Sequence, residues 1–434
     1  MLTHTAYFTE KPSILTLNKS TVIVWTAISL LVAETFSGAL RFYLDKAGIS
    51  AVLYIPKALC VLLFVLELPR MKAGRTLWLF LIGLALSASL ALLHGASLSN
   101  IGFSTFAIAP LLFGLTCSNY LLHRKRLFLW VIALLLAASL AGLALDRFTS
   151  VPWKGYSYTL GEQELAANTA WSMEDADRLA GFARVSNALS IIIATFSLYM
   201  LAFMRNKLLM AVLSGVALVA IWMTTSKAPA AAFFCTIGMM FILRFRWSSR
   251  FVFLLAVVGG MALPAIGLLH DFDPTKVTST SLASLFDRLI NTWPNLVRAI
   301  QAEGWGLTGS GFGMFGSTLA LFPVPGTNTF SGSDSSLMYL WGMLGLAGIV
   351  LYFAQVLLFC SLANDVTRLG HALLMISFCS CLIGWTTDMF EVAVANLFIG
   401  LAVGHAMSGQ LITQRPVYHP PEALKHLPAL PNVR

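Results

Sequence analysis

About twelve apolar stretches of around 20 residues each follow one another along the chain, the length an α-helix needs to cross roughly 30 Å of hydrocarbon. In lipid every backbone amide must be satisfied within its own segment, so such a chain folds as a helical bundle. Its charges are confined to loops and to the few places where chemistry happens. The approximate extents are 20–44, 48–68, 76–94, 98–118, 127–145, 183–204, 207–224, 227–244, 249–270, 336–361, 369–386 and 388–411. Composition agrees: with 58% hydrophobic and 11% charged residues, a 434-residue chain lacks the charge to cover two or three soluble domains. The expected fold is all-α and polytopic. A cytoplasmic N-terminus (1–19) precedes five spans (20–145), an outer loop (146–182) and four spans (183–270). A larger outer loop (271–335), three spans (336–411) and a cytoplasmic tail (412–434) follow.

Charge sets the orientation. The net +9 would suit nucleic acid, anionic lipid or membrane topology, but no basic run is long enough for a nucleic-acid stripe, so no nucleic-acid partner is expected. With the N-terminus inside, 17 Lys and Arg residues fall in cytoplasmic segments, 9 fall outside, and 2 (Arg41 and Lys57) lie within spans. That bias places both termini in the cytoplasm. The outer face then carries 14 acidic residues against its 9 basic ones. Its cations Arg178, Arg184, Lys227, Arg288 and Arg298 therefore stand out individually. No short apolar region with a small-residue cleavage site opens the chain, so the first helix is expected to stay. The tail, with Pro416, Pro420, Pro421, Pro428 and Pro431, reads as disordered. All six cysteines fall in apolar segments, where they act as small hydrophobes, and no structural disulfide is expected.

Long ordered loops usually carry function, which directs attention to the two outer ones. In the larger, Leu282, Leu285, Phe286, Leu289, Ile290, Trp293, Leu296, Val297 and Ile300 recur at helical spacing. Pro294 is expected to restart the helix near Thr292 or Trp293, giving two short helices with Asp287, Arg288, Asn295 and Arg298 on the polar side. Gly304, Gly306 and Gly309 match a dinucleotide-binding glycine pattern literally, but they follow an amphipathic helix where that motif follows a β-strand. What remains is a glycine-rich turn that either aims amides at a phosphate or is simply a loop. The pairs Asp175/Asp177 and Asp271/Asp273 lack a further ligand to complete a metal shell. No metal or other cofactor is expected. Glu34, Arg41 and Lys57 either neutralise one another or mark a proton path. Trp153, Tyr156, Tyr158, Trp171 and Trp305 would stack on sugars or serve as interfacial aromatics.

Four segments in order resemble the O-antigen ligase and polymerase family of integral-membrane glycosyltransferases. RLAGFARVSN (178–187) looks like the family's R-x-x-G-x-x-x-x-x-N entry into a span. TTSKAPAA (224–231) is similar to its T-x-S-R-G turn, with Lys227 at the arginine position. The helix of Arg288 leads to Gly306, Gly309, Gly311 and Gly313, where the family has a basic helix followed by G-x-G-x-G. DSSLMYLWGMLGLAG (334–348) resembles its H-S-x-x-L-x-x-L-x-x-x-G-L-x-G segment, with Gly345 and Gly348 in register. Family ligases generally carry histidine where this chain has Asp334, which favours a polymerase of repeat units over a ligase to lipid A core. A flippase for a similar lipid-linked sugar is the rival of another class.

The resemblance implies a C-type glycosyltransferase fold in the bacterial inner membrane, acting at the periplasmic face on an undecaprenyl-diphosphate-linked oligosaccharide without a metal. It also implies a chain-length regulator or export complex as partner, beside the lipid bilayer itself. Asp334 and Arg288 would then be catalytic, and Arg178, Arg184, Lys227 and Arg298 would bind diphosphate. Asn187, Gly309, Gly311 and Asp388 would line the substrate. For Asp334 a second reading stays open, as a cap on the following span. Asp388 and Glu391 would orient an arginine or cap the last span.

Overall fold

A computed structural model describes residues 18–70, 75–160, 163–166, 172–173, 176–243, 245–273 and 282–413. The tail prolines, Asp175 and Trp171 lie outside the described residues. The chain is a helical bundle: each of the twelve apolar stretches is helical. Among the described residues seven helices are long and apolar enough to cross a membrane, or eight if one sharply bent pair is a single span, and four further apolar helices are shorter. This is the build of a membrane protein.

Helix α1 (Lys19–Thr35) starts on the side chain of Asn18, which accepts from the Ser20 amide. It stops at Phe36 and turns through 88° into α2 (Ser37–Lys46). A helix start leaves amides without partners. Here the Gly38 and Ala39 amides donate to the Phe182 carbonyl at 2.8 and 3.2 Å, so the bend is locked onto a segment more than 140 residues further along the chain. Gly38 is required for that contact, because a Cβ there would press on the Ala183 carbonyl. Next come α3 (Ile55–Glu67), α4 (Arg75–Leu93), α5 (Leu98–His123) and α6 (Lys125–Phe148). Ser97 and Asn100 cap α5 reciprocally.

The loop after α6 holds two short antiparallel hairpins, the only strands among the described residues. In them β1 (Ser157–Leu160) pairs with β2 (Gln163–Ala166), and β3 (Ser172–Met173) with β4 (Ala176–Asp177). Then follow α7 (Ser186–Phe203), α8 (Lys207–Met223), α9 (Lys227–Ile242) and α10 (Arg246–Leu269). Of the membrane-length helices α7 is the most enclosed, with 72% of its apolar window buried against 17% for α4, which places α7 at the centre and α4 at the rim.

The second long loop carries α11 (Ala283–Asp287), α12 (Trp293–Ala302) and α13 (Ser317–Leu321). An α-helix restarts at Trp293 with Pro294 in its first turn, as the sequence suggested, giving two short helices. A π-helical turn, Arg288–Thr292, joins α11 to α12 without a cap, and Thr292 keeps helical dihedrals. The wider turn lets the chain pass a proline whose ring would collide with the carbonyl four residues back. Finally α14 (Ser336–Leu344) and α15 (Leu346–Ala363) are parted by Gly345, with Gly348 packed back against the Leu340 carbonyl, and α16 (Arg368–Ile383) and α17 (Ala393–Thr413) follow. Helices α5 and α17 approach at small residues, Gly114 facing the Leu397 carbonyl and Gly400 facing that of Leu111. Lacking a solvent-driven hydrophobic effect, helices in lipid gain most from such close backbone packing.

The break at Gly345 (φ 61°) is held by the glycine run of the large loop. The Leu346 amide donates to the Leu307 carbonyl at 3.0 Å, Ser310 N to Gly342 O at 2.7 Å and Gly311 N to Met343 O at 3.1 Å. The carbonyls left over where α14 ends thus find donors in the loop.

Candidate functional site

The residues singled out from the sequence meet where the large loop returns to the bundle. Arg288, in the π turn, sets its Nε 3.1 Å from Asp334 Oδ2, while its Nη1 donates to Ser284 Oγ at 2.8 Å. Asp334 precedes α14 with φ 47°, a left-handed conformation that aspartate tolerates better than most residues. Its side chain is 50% exposed, against 20% for Arg288, so the pair opens outward. Asp334 is not a helix cap. Ser335 holds the cap position without a side-chain bond, and the Ser336 amide goes to the Gly384 carbonyl at 2.8 Å. The carboxylate is directed to Arg288 instead.

The strip around Asp334 is pinned on both sides. The Trp293 indole donates to the Ser333 carbonyl at 3.1 Å, and the Ser333 hydroxyl donates to Asp388 Oδ2 at 3.1 Å. Ser336 Oγ donates to the Thr387 carbonyl and accepts from the Met389 amide, each at 3.1 Å, and Asn187 Nδ2 reaches Thr387 Oγ1 at 3.4 Å. Arg288, Asp334, Asp388 and Asn187 therefore belong to one bonded assembly, contributed by the π turn, the start of α14, the turn before α17 and the start of α7.

Asp388 differs from Asp334 in kind. Burial pushes its pKa well above the usual carboxylate range, and the nearby Glu391 and Asp334 add to the effect while the Ser333 hydroxyl opposes it. Its Oδ1 is buried with no hydrogen-bond partner, the arrangement that favours a protonated acid. Glu391 is also raised, mainly by burial. It accepts the Ser317 amide at 2.6 Å and has Arg184 and Lys57 within Coulombic reach, both of which pull it down. An outward-facing carboxyl group at Asp334 thus stands one serine away from a buried one at Asp388 whose pKa is raised. Such a pair can take a proton from one group and supply one to another.

The other expected residues fall elsewhere. Arg184 is exposed ahead of α7, Lys227 is exposed at the start of α9, and Arg178 is partly buried in the segment leading to α7. Arg298 reaches Asn295 at 3.4 Å and lines a separate recess with His270, Asp271, Phe272 and Pro294. Gly309 and Gly311 are buried, and their amides are spent on the Trp305 and Met343 carbonyls. Their expected place lining a substrate is corrected to a packing seam: a Cβ on Gly311 would drive into Ala91 of α4. The aromatics serve packing too. The indole of Trp153 donates to the Gly181 carbonyl at 2.7 Å, Tyr156 donates to Asp45 at 2.7 Å, and Trp305 stacks on His94. Among the described residues no group of three or more His, Cys, Asp and Glu side chains is placed to hold a metal ion.

Sequence reading missed the supporting parts Trp293, Ser333 and Thr387. Ser333 could have been suspected, because it extends Ser335 and Ser336 across Asp334. Neither the known protein families nor the curated proteins searched contain a match to this chain.

Proposed function

We propose that this chain is a twelve-span inner-membrane polymerase of undecaprenyl-diphosphate-linked saccharide repeat units, with its long loops at the periplasmic face. One observation carries the reading: the ion pair of Arg288 with Asp334, 3.1 Å apart, backed by a buried carboxylic acid at Asp388. The ordered resemblance over residues 178–348 supports it, as does the helical loop between α10 and α14.

In this reading an acceptor sugar hydroxyl attacks the anomeric carbon of the donor as the bond from that carbon to the diphosphate oxygen breaks. Asp334 takes the hydroxyl proton. Arg288 meets the negative charge that grows on the leaving diphosphate. Fixed donors are most effective where water is partly excluded. Arginine suits this task because its planar fork matches phosphate oxygens in pairs. A single displacement inverts the anomeric configuration, and the lipid diphosphate bond supplies the driving force, so no nucleotide is consumed. Asp388 holds Ser333, and through it the Asp334 strip, while keeping a proton in reserve.

The test is elongation in vitro of a purified undecaprenyl-diphosphate repeat unit by the purified chain. Polymer of more than one repeat supports the reading. Transfer to lipid A core without elongation would make the chain a ligase, and loss of the gene with repeat units trapped on the cytoplasmic leaflet would make it a flippase.

A further inference from the structure

Asn396, in the first turn of α17, is fully buried and takes no part in the chemistry above. Its Nδ2 donates twice, to the Phe390 carbonyl at 2.6 Å and to the Ala107 carbonyl of α5 at 3.3 Å. Its Oδ1 is buried and has no hydrogen-bond partner. Turned over, the amide would set that oxygen against two carbonyl oxygens, so chemistry fixes the orientation. Leucine would fill similar space without a bare oxygen. What this side chain contributes therefore lies in its NH2 group.

The two acceptors belong to different parts of the bundle. Pro110 inside α5 removes a backbone donor and disturbs the turn before it, where Ala107 lies; in lipid the carbonyls that a proline releases are met by a neighbouring helix. Close by, α5 and α17 touch backbone to backbone at Gly114 and Gly400, so Asn396 is braced on a close-packed seam. Phe390, the other acceptor, sits in the turn that carries Asp388. Its amide faces the Asp388 carboxyl group, and its ring stacks on Tyr339 of α14 with centroids 6.1 Å apart. Asn396 thus reaches the acid through one residue. That turn keeps Asp388 enclosed, and enclosure is the main cause of its raised pKa.

We propose that Asn396 is a positioning residue for Asp388: braced on the Ala107 carbonyl of α5, it holds the Phe390 carbonyl and keeps the turn closed over the acid. The inference rests on the reading of Asp388 as the acid of the site, and its test reads the acid and not the polymer. A chain that elongates nothing, yet titrates as described below, would count against the polymerase only.

The experiment is infrared difference spectroscopy of the purified full-length chain, titrated from acid to alkaline pH. The protonated-carboxyl band missing from Asp388→Asn belongs to Asp388, and in the parent it should persist above the ordinary carboxylate range. Asn396→Leu opens the turn to water, so the midpoint of that band should fall by about one pH unit or more, a tenfold loss of proton affinity. Asn396→Gln keeps both donors and should fall by less. The other titratable groups facing Asp388 are Asp334, Tyr339 of α14 and Glu391, and none is hydrogen-bonded to Asn396, so the shift reports on the turn. A merely structural asparagine would lower the unfolding midpoint of Asn396→Leu and leave the titration where it was. Should Asn396→Leu fail to fold, amide exchange in the parent decides: the Phe390 amide should exchange as slowly as those of α17. An unmoved titration in Asn396→Leu, an equal fall in Asn396→Gln, a parent without the Asp388 band, or a Phe390 amide exchanging like an open loop would overturn the proposal.

Discussion

Replacing Asp388 by asparagine separates stability from function at one atom. The parent carboxyl is pushed up by burial, with Glu391 and Asp334 close by, and its Oδ1 has no hydrogen-bond partner. Between the ordinary carboxylate range and this raised value, the folded state keeps a proton that the unfolded chain has released. Stability contributed by this group is therefore complete at low pH, falls as pH rises through that window, and falls no further above it. Asparagine removes the charge while its side-chain carbonyl can still accept from Ser333. A buried charged oxygen without a partner costs about 1–3 kcal/mol, so Asp388→Asn should be more stable than the parent by about that amount above the window. Near pH 4 the two should converge. The assay is unfolding of detergent-purified parent and variant, followed by tryptophan fluorescence across pH 4 to 9. A variant less stable than the parent at high pH, or a difference that does not change with pH, would refute the reasoning.

Other consequences can be measured directly. Arg288→Ala should lower elongation by about 10²–10³-fold, the scale of losing one fixed donor to a developing anion. Because its ion pair is half open to the outside, stability should change by less than about 1 kcal/mol, and a chemical-denaturation comparison checks this. Gly345→Ala should destabilise by about 1–3 kcal/mol or more, since φ is 61° and an added Cβ would strike the Leu307 carbonyl; yield and unfolding midpoint report it. At the opposite end, Asp365 is held below the usual carboxylate range despite partial burial, by bonds from His405 at 2.6 Å and from Thr367. Its contribution is present at neutral pH and lost as pH falls through the lowered value. Asp365→Asn should therefore be the less stable chain at pH 7 and should match the parent in strong acid.

The helical bundle was legible because its signal is additive: twenty apolar residues in a row announce a span whatever their order. Arg288, Asp334, Asn187 and Asp388 were legible too, as rare polar side chains flanking apolar segments. The partners that assemble them were not. Trp293 reads as one more apolar position on an amphipathic face, yet its indole pins Ser333 forty residues away. The glycine run misled for a related reason. Glycine is needed equally where a loop wraps a phosphate and where it wraps another backbone, and only the positions of Gly342, Met343 and Leu307 decide between them. The π turn was hidden because proline marks a disturbance in a helix without saying whether the chain caps, kinks or widens there.

The bend after α1 also imposes a timetable on biogenesis. The Gly38 amide that secures it waits for a carbonyl at residue 182, so the first helix leaves the ribosome long before its final shape is available. At about 5–20 residues per second, synthesis of the intervening chain takes roughly 7–30 s. During that interval the Gly38 and Ala39 amides lack the carbonyl that they reach in the finished fold.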